Sequence, residues 1–494
     1  MMTLADTDVT VIGSGFAGLS SACYLADAGA DVRVLEKNES LGGRASVLER
    51  DGFKFDMGPS WYMMPDVFER FFDHFDRDVD DYYDLQRLDP HYRIFYKDGD
   101  SVDARGDPDA MAEVFESYEE GAGEAFQEYL DTSKTHYETA MEKFVYEDRS
   151  NLTDWVDTDV MTAAPIGLQL VGSMENHVEK YVDHPKLKQL LQYTLVFLGG
   201  SPKNTPALYN IMSHVDFNLG VWYPDGGMSS VVDGIVELGE ELGVEYVTDS
   251  EVTGLTRGHD EFILDTEQGQ RRADTVVANA DYAHVERDLL PEHERQYDDD
   301  YWDSKTYAPS AFLLYLGVEG DVEPLDHHTL VLPEDWDDHF EQIFELPSWP
   351  DEPAYYICAP SVTDDSVAPE GHSNLFVLVP LAPGLPDTDA LRERYRDQIL
   401  DDIAENTGVE LRDRIVLEES FCVRDFAERY NATRGTALGL AHTLRQTSLL
   451  RPSNRSKVLD GLYYTGAFTT PGIGVPMCLI SGQHTADALI EEQA

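Results

Sequence analysis

The residues with the clearest chemistry stand near the start of the sequence, in a glycine-rich turn. The run Gly13-Ser14-Gly15-Phe16-Ala17-Gly18 has the G-x-G-x-x-G spacing. The first glycine permits a tight turn, the second lets the backbone approach a pyrophosphate, and the third lets a helix pack closely on a strand. Glu36 follows 18 residues after Gly18, close to the distance at which a carboxylate binds a ribose hydroxyl. This set of residues predicts a dinucleotide site.

The surrounding pattern supplies the elements that such a site needs. The apolar run 9–12 predicts a β-strand, the segment 19–26 has apolar residues at helical spacing, and the run 32–35 predicts a second strand. The strand–turn–helix–strand order favours a ligand site over a glycine-rich turn without a ligand. Glu36, directly after the second strand, would repel a 2′-phosphate, so the pattern disfavours NADP.

NAD and FAD share this unit, and two later segments favour FAD. The run Leu41-Gly42-Gly43-Arg44 resembles the arm that lies over the pyrophosphate in flavoproteins of the amine-oxidase and desaturase class. The run Phe55-Asp56-Met57-Gly58-Pro59-Ser60 resembles the segment that this class places beside the flavin ring. Taken alone, Gly58-Pro59 is typical of an ordinary turn. Its position after the Gly-Gly-Arg arm favours the flavin interpretation.

The composition excludes some partners and indicates a habitat. The 494 residues include 95 acidic and 36 basic side chains, which gives a formal net charge of −59. Such a surface repels a phosphate backbone, so we expect no nucleic-acid partner. Acidic excess with few lysines is typical of a protein from a salt-saturated cytoplasm, where ions screen the self-repulsion. An ordinary acidic enzyme is the alternative.

The cysteines and the N-terminus indicate an intracellular protein. Four cysteines stand apart, without a C-x-x-C pair or a nearby histidine pattern: Cys23, Cys358, Cys422 and Cys478. We interpret them as buried apolar residues in a reducing compartment, and we expect no disulfide and no metal site. The N-terminus lacks a signal-peptide pattern, and the sequence lacks an apolar run long enough to span a bilayer. A cytoplasmic location is the expectation.

The remaining pattern predicts an α/β fold with three regions. A discontinuous Rossmann-like FAD-binding domain comprises residues 1–104, 221–285 and 416–494. Residues 105–220 form a helical substrate-access region that acts as a membrane contact or lid, and residues 286–415 form a substrate-binding domain with a mixed sheet. Within the helical region, the apolar run 165–171 favours core packing, with an interfacial or access surface as the alternative.

Motifs spread over nearly the whole chain are similar to those of the bacterial-type carotenoid desaturases, the phytoene desaturase family. Beyond the segments above, they comprise Val221–Gly227, Val277–Asp281, His327–Thr329, Ala359–Asp364, Ala368–Gly371, Arg451–Asn454, Thr465–Ala467 and Pro471–Pro476. The glycine turn indicates only a superfamily, whereas the last motif, in order with the His-His-Thr and Ala-Pro-Glu-Gly segments, is specific to these desaturases and their close relatives. The resemblance implies FAD as cofactor and a long polyene as substrate.

The resemblance also implies which residues contact FAD. They are Gly13, Ser14, Gly15, Phe16, Ala17, Gly18, Glu36, Lys37, Gly43, Arg44, Gly58, Pro59, Ser60, Val252, Gly466, Gly474, Val475 and Met477. The amides at the start of the last helix would face the pyrimidine end of the flavin, where the reduced ring carries negative charge. Val252 would contact the adenine end through its backbone.

Desaturation in this family removes a hydride from one carbon and a proton from its neighbour, and the flavin takes the hydride. Water or a carboxylate could accept the proton. Asp159 matches an acidic position of the family, although a solvated aspartate is the favoured interpretation in so acidic a chain. His327 and His328 are interpreted as structural hydrogen-bonding groups rather than bases.

Three residues depart from the family pattern near the last loop. Phe468, Thr470 and Met477 stand where the family usually has Gly, His and Gly. We expect Phe468 and Thr470 to face the substrate, and the larger side chains to influence which bond is desaturated and how often.

The predicted function is an FAD-dependent carotenoid desaturase in the cytoplasm that contacts the membrane surface where its substrate dissolves. Two reactions stay open: phytoene to lycopene, and 3,4-desaturation of late intermediates towards bacterioruberin. The alternatives are a carotenoid isomerase, an amine oxidase of the same superfamily and a polyene-binding protein that keeps FAD structurally. The oligomeric state and the electron acceptor, oxygen or a quinone, are not encoded in any recognisable motif.

Overall fold

The computed structural model describes residues 4–5, 7–147, 172–443, 445–447 and 450–493. Its strands are β1 Asp8–Ile12, β2 Asp31–Leu35, β3 Val47–Arg50, β4 Phe53–Asp56, β5 Leu85–Arg87, β6 Tyr92–Tyr96, β7 Ser101–Ala104, β8 Trp222–Pro224, β9 Glu245–Val247, β10 Val252–Arg257, β11 Phe262–Thr266, β12 Gly269–Ala273, β13 Thr275–Ala278, β14 Ser310–Glu319, β15 His328–Leu332, β16 Tyr355–Cys358, β17 His372–Leu381, β18 Ile415–Phe421 and β19 Leu462–Tyr464. Two large sheets hold most of them.

The first large sheet is parallel and has the order β19-β13-β1-β2-β9. Its central strand β1 pairs with β13 on one side and β2 on the other, with Val9 opposite both Thr275 and Val32. Residues 9–12 are all buried, as expected for a parallel strand covered on both faces. The two strands predicted around the glycine turn are therefore confirmed, as is the helix Phe16–Asp27 between them.

Helices cover the parallel sheet. Helix Phe16–Asp27 packs against helix Met228–Leu242 and against the last helix, Val475–Gln493. A Cβ on Gly482 would lie 2.7 Å from the carbonyl oxygen of Ala17, so a glycine is required for this approach. Both partner helices begin at the residues that the sequence predicts. The remaining α-helices are Pro65–His74, Pro108–Tyr118, Ala122–Ala140, Met174–Val178, Pro185–Gln192, Ile211–His214, Tyr282–His284, Asp299–Asp303, Asp337–Phe344, Asp389–Thr407 and Val423–Tyr430.

The second large sheet is mixed and has the order β18-β14-β17-β16-β15-β6-β7. Its longest pair, β14 and β17, runs antiparallel from Ser310 opposite Leu381 to Glu319 opposite His372. Both strands are buried along nearly their whole length, because separate apolar clusters cover the two faces of the sheet. A mixed sheet was expected within residues 286–415, and β14 to β17 form its centre.

The outer strands of the mixed sheet come from elsewhere in the chain. β6 and β7 lie at residues 92–104, in a segment that the predicted division gives to the FAD-binding domain, and β18 begins at Ile415 and continues past the predicted boundary into that domain. β6 joins β15 in parallel, with Arg93 opposite Thr329. Buried and partly buried residues alternate in β6, but its partner is more than 230 residues away. The domain division itself stays a prediction.

The predicted helical region contains helices throughout its described part. π-Helical turns follow two of them, at Met141–Val145 and Val215–Leu219. Asp159 and the apolar run 165–171 lie outside the described residues. Within the described ranges, no helix combines the length and apolarity needed to cross a bilayer.

Candidate functional site

A cavity of about 1010 Å³ lies between the two large sheets. One end, here called the nucleotide side, is lined by residues 12–17, 35–38, 42–45, 465–468, 470–471 and 473–478. The other, here called the apolar side, is lined by β14, β15 and β17 of the mixed sheet and by helical segments between His136 and Val215. All predicted flavin-contacting residues line this cavity except Gly18, and the predicted substrate-facing residues Phe468 and Thr470 line it too.

The glycine turn connects β1 to the first helix at the nucleotide side. Gly13 has a φ of +94°, and a Cβ there would lie 2.9 Å from the carbonyl oxygen of Asn279. A Cβ on Gly15 would lie 2.9 Å from Asn279 Oδ1, and one on Gly18 would lie 2.2 Å from the carbonyl oxygen of Gly13. Gly18 therefore serves the close packing of helix on strand, the role predicted for it.

Asn279 is a site residue that sequence reasoning passed over. It follows β13, and its Nδ2 donates to the carbonyl oxygen of Thr465 at 3.3 Å. Its Oδ1 is buried and has no hydrogen-bond partner within the described part of the chain. The motif Val277–Asp281 contains it, but nothing in the sequence places that motif beside the glycine turn. The parallel pairing of β13 with β1 does so.

Glu36 lies at the end of β2 and is 4% exposed. One carboxylate oxygen accepts from Ser14 N at 2.9 Å and from Ser14 Oγ at 2.7 Å. The other accepts from Asn38 N and Asn38 Nδ2, both at 2.9 Å. These donors fix the carboxylate at the cavity wall, where its charge disfavours a second phosphate on a ribose.

Arg44 gives the nucleotide side a cation. Its guanidinium lies 5.7 Å from the centre of the Tyr430 ring, and its buried Nε has no hydrogen-bond partner among the residues described. Gly43, with a φ of +59°, brings this arm so close to the glycine turn that a Cβ would lie 3.2 Å from Gly15 Cα. A buried unpaired N–H of a cation beside a glycine turn fits a pyrophosphate, so these residues fit FAD.

Lys37 has protein partners although it lines the cavity. Its Nζ donates to the carbonyl oxygen of Glu428 and to Asn431 Oδ1, both at 2.7 Å, and lies 3.2 Å from the Glu251 carboxylate. The two hydrogen bonds tie the residue after β2 to the C-terminal end of helix Val423–Tyr430. Lys37 therefore shapes the wall beside Val252, which opens β10 and also lines the cavity.

The loop before the last helix closes the nucleotide side. Gly466, Gly472 and Gly474 have φ values of +104°, +127° and +123°, and the last helix, whose first turn lines the cavity, begins at Val475. The buried imidazole of His442 accepts from the backbone N–H of Ile473 at 3.0 Å, and burial lowers the pKa of His442 well below its usual range.

Arg451 is buried and hydrogen-bonds to the backbone of this loop. From the sequence alone, Arg451 was assigned no separate role. Its guanidinium donates to the carbonyl oxygens of Thr469 at 3.0 Å, Gln446 at 3.1 Å, Leu440 at 3.2 Å and also Ala467. Burial lowers the pKa of Arg451 to about 10, so the side chain is still charged at neutral pH. A single buried cation thus ties two loop carbonyls to the preceding segment.

Phe468 and Met477 differ in how they meet the cavity. Phe468 is 4% exposed, and its ring centre lies 6.3 Å from that of Trp302 and 6.5 Å from that of Tyr307. Most of its surface is therefore used for packing. Met477 is half-buried in the first turn of the last helix and faces the cavity with Thr470.

Aromatic rings form the junction between the two sides. Trp61, next to Ser60, stacks on His328 with ring centres 4.2 Å apart. His328 Nδ1 bonds the Tyr356 hydroxyl at 2.7 Å, and His327 Nδ1 bonds the Thr363 hydroxyl at 2.8 Å. Burial lowers the pKa of His327 to about 3 and that of His328 well below its usual range, so both imidazoles are neutral. These contacts favour the structural interpretation of both histidines.

Cys358 lies beside these histidines, on the strand next to theirs. The thiol and one nitrogen from each of His327 and His328 lie within 4.8 Å of one another, and all three residues are buried. Burial raises the pKa of the Cys358 thiol to about 12, which disfavours the thiolate that a metal requires. The prediction of no metal site stays a prediction.

The family described as flavin containing amine oxidoreductase matches residues 16–490. The chain belongs to this family. A carotenoid 3,4-desaturase from Haloarcula japonica is 72% identical over 100% of both chains. A 4,4'-diapophytoene desaturase (4,4'-diaponeurosporene-forming) from Staphylococcus haemolyticus is 31% identical over 98% of this chain and 99% of its own.

Solved structures with low sequence identity to this chain share its fold. An oxidoreductase from Methanosarcina mazei superposes with a TM-score of 0.60 at 17% identity, over 97% of this chain and 99% of that one. The family match confirms the predicted FAD cofactor, the oxidoreductase class and the amine-oxidase type of fold. It also agrees with the fit of the glycine turn and Arg44 to a pyrophosphate.

Proposed function

We propose that this protein is an FAD-dependent carotenoid 3,4-desaturase, which introduces a C=C double bond into a long polyene. The observation that carries the proposal is the 72% identity with the Haloarcula japonica carotenoid 3,4-desaturase over the whole of both chains. The sequence left phytoene desaturation and 3,4-desaturation open, and this relative favours the second. Its genus also agrees with the salt-adapted surface that the net charge of −59 indicates.

The form of the cavity supports an elongated apolar substrate. The apolar side continues from the nucleotide side without a dividing wall, and aliphatic and aromatic side chains dominate its lining. Leu313, Leu330 and Leu378 come from three adjacent or near-adjacent strands of the mixed sheet, whose inner face they present to the cavity. A polyene on this face would place one stretch of its chain at the junction near Trp61.

The chain positions the cofactor and excludes water around it. FAD, when bound, accepts a hydride from the substrate. The glycine turn and Arg44 would hold the pyrophosphate, Glu36 would hold a ribose, and the start of the last helix at Val475 and Met477 would hold the flavin ring. The aromatic junction keeps the reacting carbons dry and aligned, which is the main catalytic work that a hydride transfer requires of a protein.

The substrate dissolves in membranes, so we assign this protein a peripheral place on the membrane surface. Residues 105–220 form the access region in this proposal. Met141, Phe144 and Val145 support it, because they are partly exposed apolar residues that also line the cavity. They stand directly before the segment 148–171, which contains the apolar run 165–171 of the sequence.

A turnover assay tests the proposal. FAD-loaded protein is mixed anaerobically with vesicles that contain either a polyene saturated at its 3,4-bond or phytoene. We expect bleaching of the flavin absorbance and a product with one more double bond from the first substrate, identified by chromatography. The Gly15→Val variant serves as the cofactor-free control.

Other outcomes point to the rival functions. Conversion of phytoene alone contradicts 3,4-desaturation, and a product with an unchanged number of double bonds indicates an isomerase. Flavin reduction by amines indicates an amine oxidase. Polyene binding without any product indicates a non-catalytic binding protein.

A further inference from the structure

A buried polar cluster lies beside the cavity and outside the predicted flavin contacts. Its centre is Asp216, which is 1% exposed. Asp216 Oδ2 accepts from the Tyr92 hydroxyl at 2.8 Å and from the Tyr193 hydroxyl at 3.0 Å. Asp216 Oδ1 lies 3.9 Å from Nδ1 of the fully buried His91. Neither Oδ1 nor either ring nitrogen of His91 has a hydrogen-bond partner among the described residues.

Such a cluster costs free energy to bury. A carboxylate removed from water is stabilised only where hydrogen bonds replace its hydration, and here both hydroxyls serve one oxygen. Apolar side chains of similar volume would pack in the same place without that cost. Asp216 also belongs to the π-helical turn Val215–Leu219, a distortion that is frequent at functional sites. Burial, incomplete pairing and the distorted helix together indicate a role beyond packing.

The two tyrosines of the cluster have different positions relative to the cavity. Tyr193 lines the cavity, with its ring centre 6.2 Å from that of Trp61 at the junction. Tyr92 packs behind Tyr193, with ring centres 4.8 Å apart, and is not among the cavity-lining residues that the structure describes. One hydroxyl of the pair therefore belongs to a side chain on the substrate wall, and the other belongs to the interior.

We propose that Tyr193 and Asp216 accept the proton that the substrate loses during desaturation. This inference rests on the proposed function, because only an oxidation of a C–C single bond releases such a proton. Tyr193 is the catalytic residue, since it meets the substrate, and Asp216 is the group behind it that receives the charge. The Tyr193 hydroxyl oxygen takes the proton from carbon while its own proton moves to Asp216 Oδ2.

The step balances in atoms and electrons. A hydride leaves one carbon for FAD, which is reduced by two electrons, and the C–H bond on the neighbouring carbon breaks. The electron pair of that C–H bond becomes the second bond of the new C=C. Burial and the Asp216 charge raise the pKa of Tyr193 well above its usual range, so the tyrosine begins as a neutral hydroxyl. It must therefore pass a proton on as it receives one, and the bond to Asp216 provides the path.

A matched pair of variants tests the relay. Tyr193→Phe and Tyr92→Phe each remove one hydroxyl donor from the same carboxylate oxygen, but only the first removes a group from the cavity wall. In the FAD-loaded enzyme we expect Tyr193→Phe to lower kcat roughly 10²- to 10⁴-fold, the range for loss of an acid–base group. Its KM and its FAD content should not change. Tyr92→Phe keeps the path from Tyr193 to Asp216 and should lower kcat far less than Tyr193→Phe does.

Two results would overturn the relay. Equal losses of rate in both variants would mean that the cluster only supports the fold, and an unchanged rate in Tyr193→Phe would mean that water or another group accepts the proton. A wild type that oxidises no polyene would overturn the proposed function, and the relay with it.

Infrared difference spectroscopy supplies a measurement that does not depend on rate. After one anaerobic turnover, wild type should develop the carbonyl band of a protonated carboxylic acid, and Asp216→Asn should lack it. Flavin content, measured from the absorbance of each purified variant, shows whether the fold is intact. A wild type without the band, or an Asp216→Asn variant that keeps it, contradicts the assignment.

Discussion

The nucleotide side and the apolar side of the cavity are assembled from very different stretches of chain. Residues 12–17 of the nucleotide side lie within one βαβ unit, residues 35–38 and 42–45 come at its end and directly after it, and the loop and helix start between residues 465 and 478 complete this side. The apolar side combines β14, β15 and β17 with helical segments between His136 and Val215. The nucleotide side depends on backbone conformation at a few glycines, whereas the apolar side depends on side-chain volume contributed by distant segments. Sensitivity to mutation should therefore differ between them.

The largest expected effect is at the glycine turn. A side chain on Gly15 would meet Asn279 Oδ1 and would fill the space in which the backbone approaches the pyrophosphate. We expect Gly15→Val to abolish FAD binding, measured as loss of the flavin absorbance of the purified protein. A yellow, flavin-loaded Gly15→Val protein would contradict this account of the nucleotide side.

Gly254→Val provides the matched control. Gly254 lies in β10, away from the cavity lining, and the nearest atoms to its absent Cβ belong to the Asp265 side chain. The same change in size should leave the FAD content unchanged there. Loss of flavin in both variants would indicate general misfolding.

Salt affects both sides at once, because the acidic residues are distributed along the whole chain. The net charge is −59, and the Debye length is about 30 Å at 0.01 M salt and about 3 Å at 1 M. We expect the melting temperature to fall steeply as salt is removed, because self-repulsion then acts across the molecule. Thermal melts over a range of salt concentrations measure this. A melting temperature that is independent of salt would contradict the interpretation of the surface as salt-adapted.

The next expected effect, smaller than those above, is a loss of stability at the loop 465–474, which completes the nucleotide side. Arg451→Met leaves several buried carbonyls without their donor, and hydrogen bonds of a charged donor contribute about 1.5–3 kcal/mol each. We expect a loss of roughly 3 kcal/mol in the free energy of unfolding and weaker FAD binding, measured by denaturant titration and flavin release. The control is Arg455→Met, whose side chain is 37% exposed and pairs with Glu491 at 3.6 Å. Its cost should be below about 1 kcal/mol.

The smallest effect is on product choice, where the two sides meet. We expect Phe468→Gly with Met477→Gly to change the ratio of products that differ in double-bond number or position, because errors near 1 Å cost about 100-fold in transfer rate. The packing of Phe468 on Trp302 and Tyr307 predicts an added stability cost of about 3–5 kcal/mol. Met477→Ala alone is therefore the cleaner variant, and chromatography of its products is the measurement. An unchanged product spectrum in a flavin-loaded Met477→Ala protein would place Met477 away from the reacting carbons.

The sequence predicts the nucleotide side well because its signals are local. The glycine spacing, the two apolar runs and Glu36 lie within 30 residues, and each requires only its own neighbours to adopt its conformation. Asn279 and Arg451 were missed as individual groups, since their roles arise only when β13 pairs with β1 and when the loop folds back on Arg451.

For the apolar side, the sequence predicts a mixed sheet but does not predict all of the strands that form it. β6 and β18 have strand-like patterns, yet no local signal tells which sheet they join. The cluster around Asp216 is invisible for the same reason, because Tyr92, Tyr193 and Asp216 are separated by more than 20 residues from one another. No sequence pattern distinguishes the buried Asp216 from the other acidic residues, of which the chain has 95 in all.

The order of the strands in the parallel sheet also determines when the protein can first hold its cofactor. β1 and helix Phe16–Asp27 are synthesised early, whereas β19, which pairs with β13, and helix Val475–Gln493, which packs on helix Phe16–Asp27, follow the strands of the mixed sheet in the chain. During most of translation the glycine turn therefore lacks the loop 465–474, while the mixed sheet already has its central strands β14 to β17. We therefore expect the nucleotide side to be completed only after the loop before helix Val475–Gln493 has been synthesised, later than the central strands of the mixed sheet.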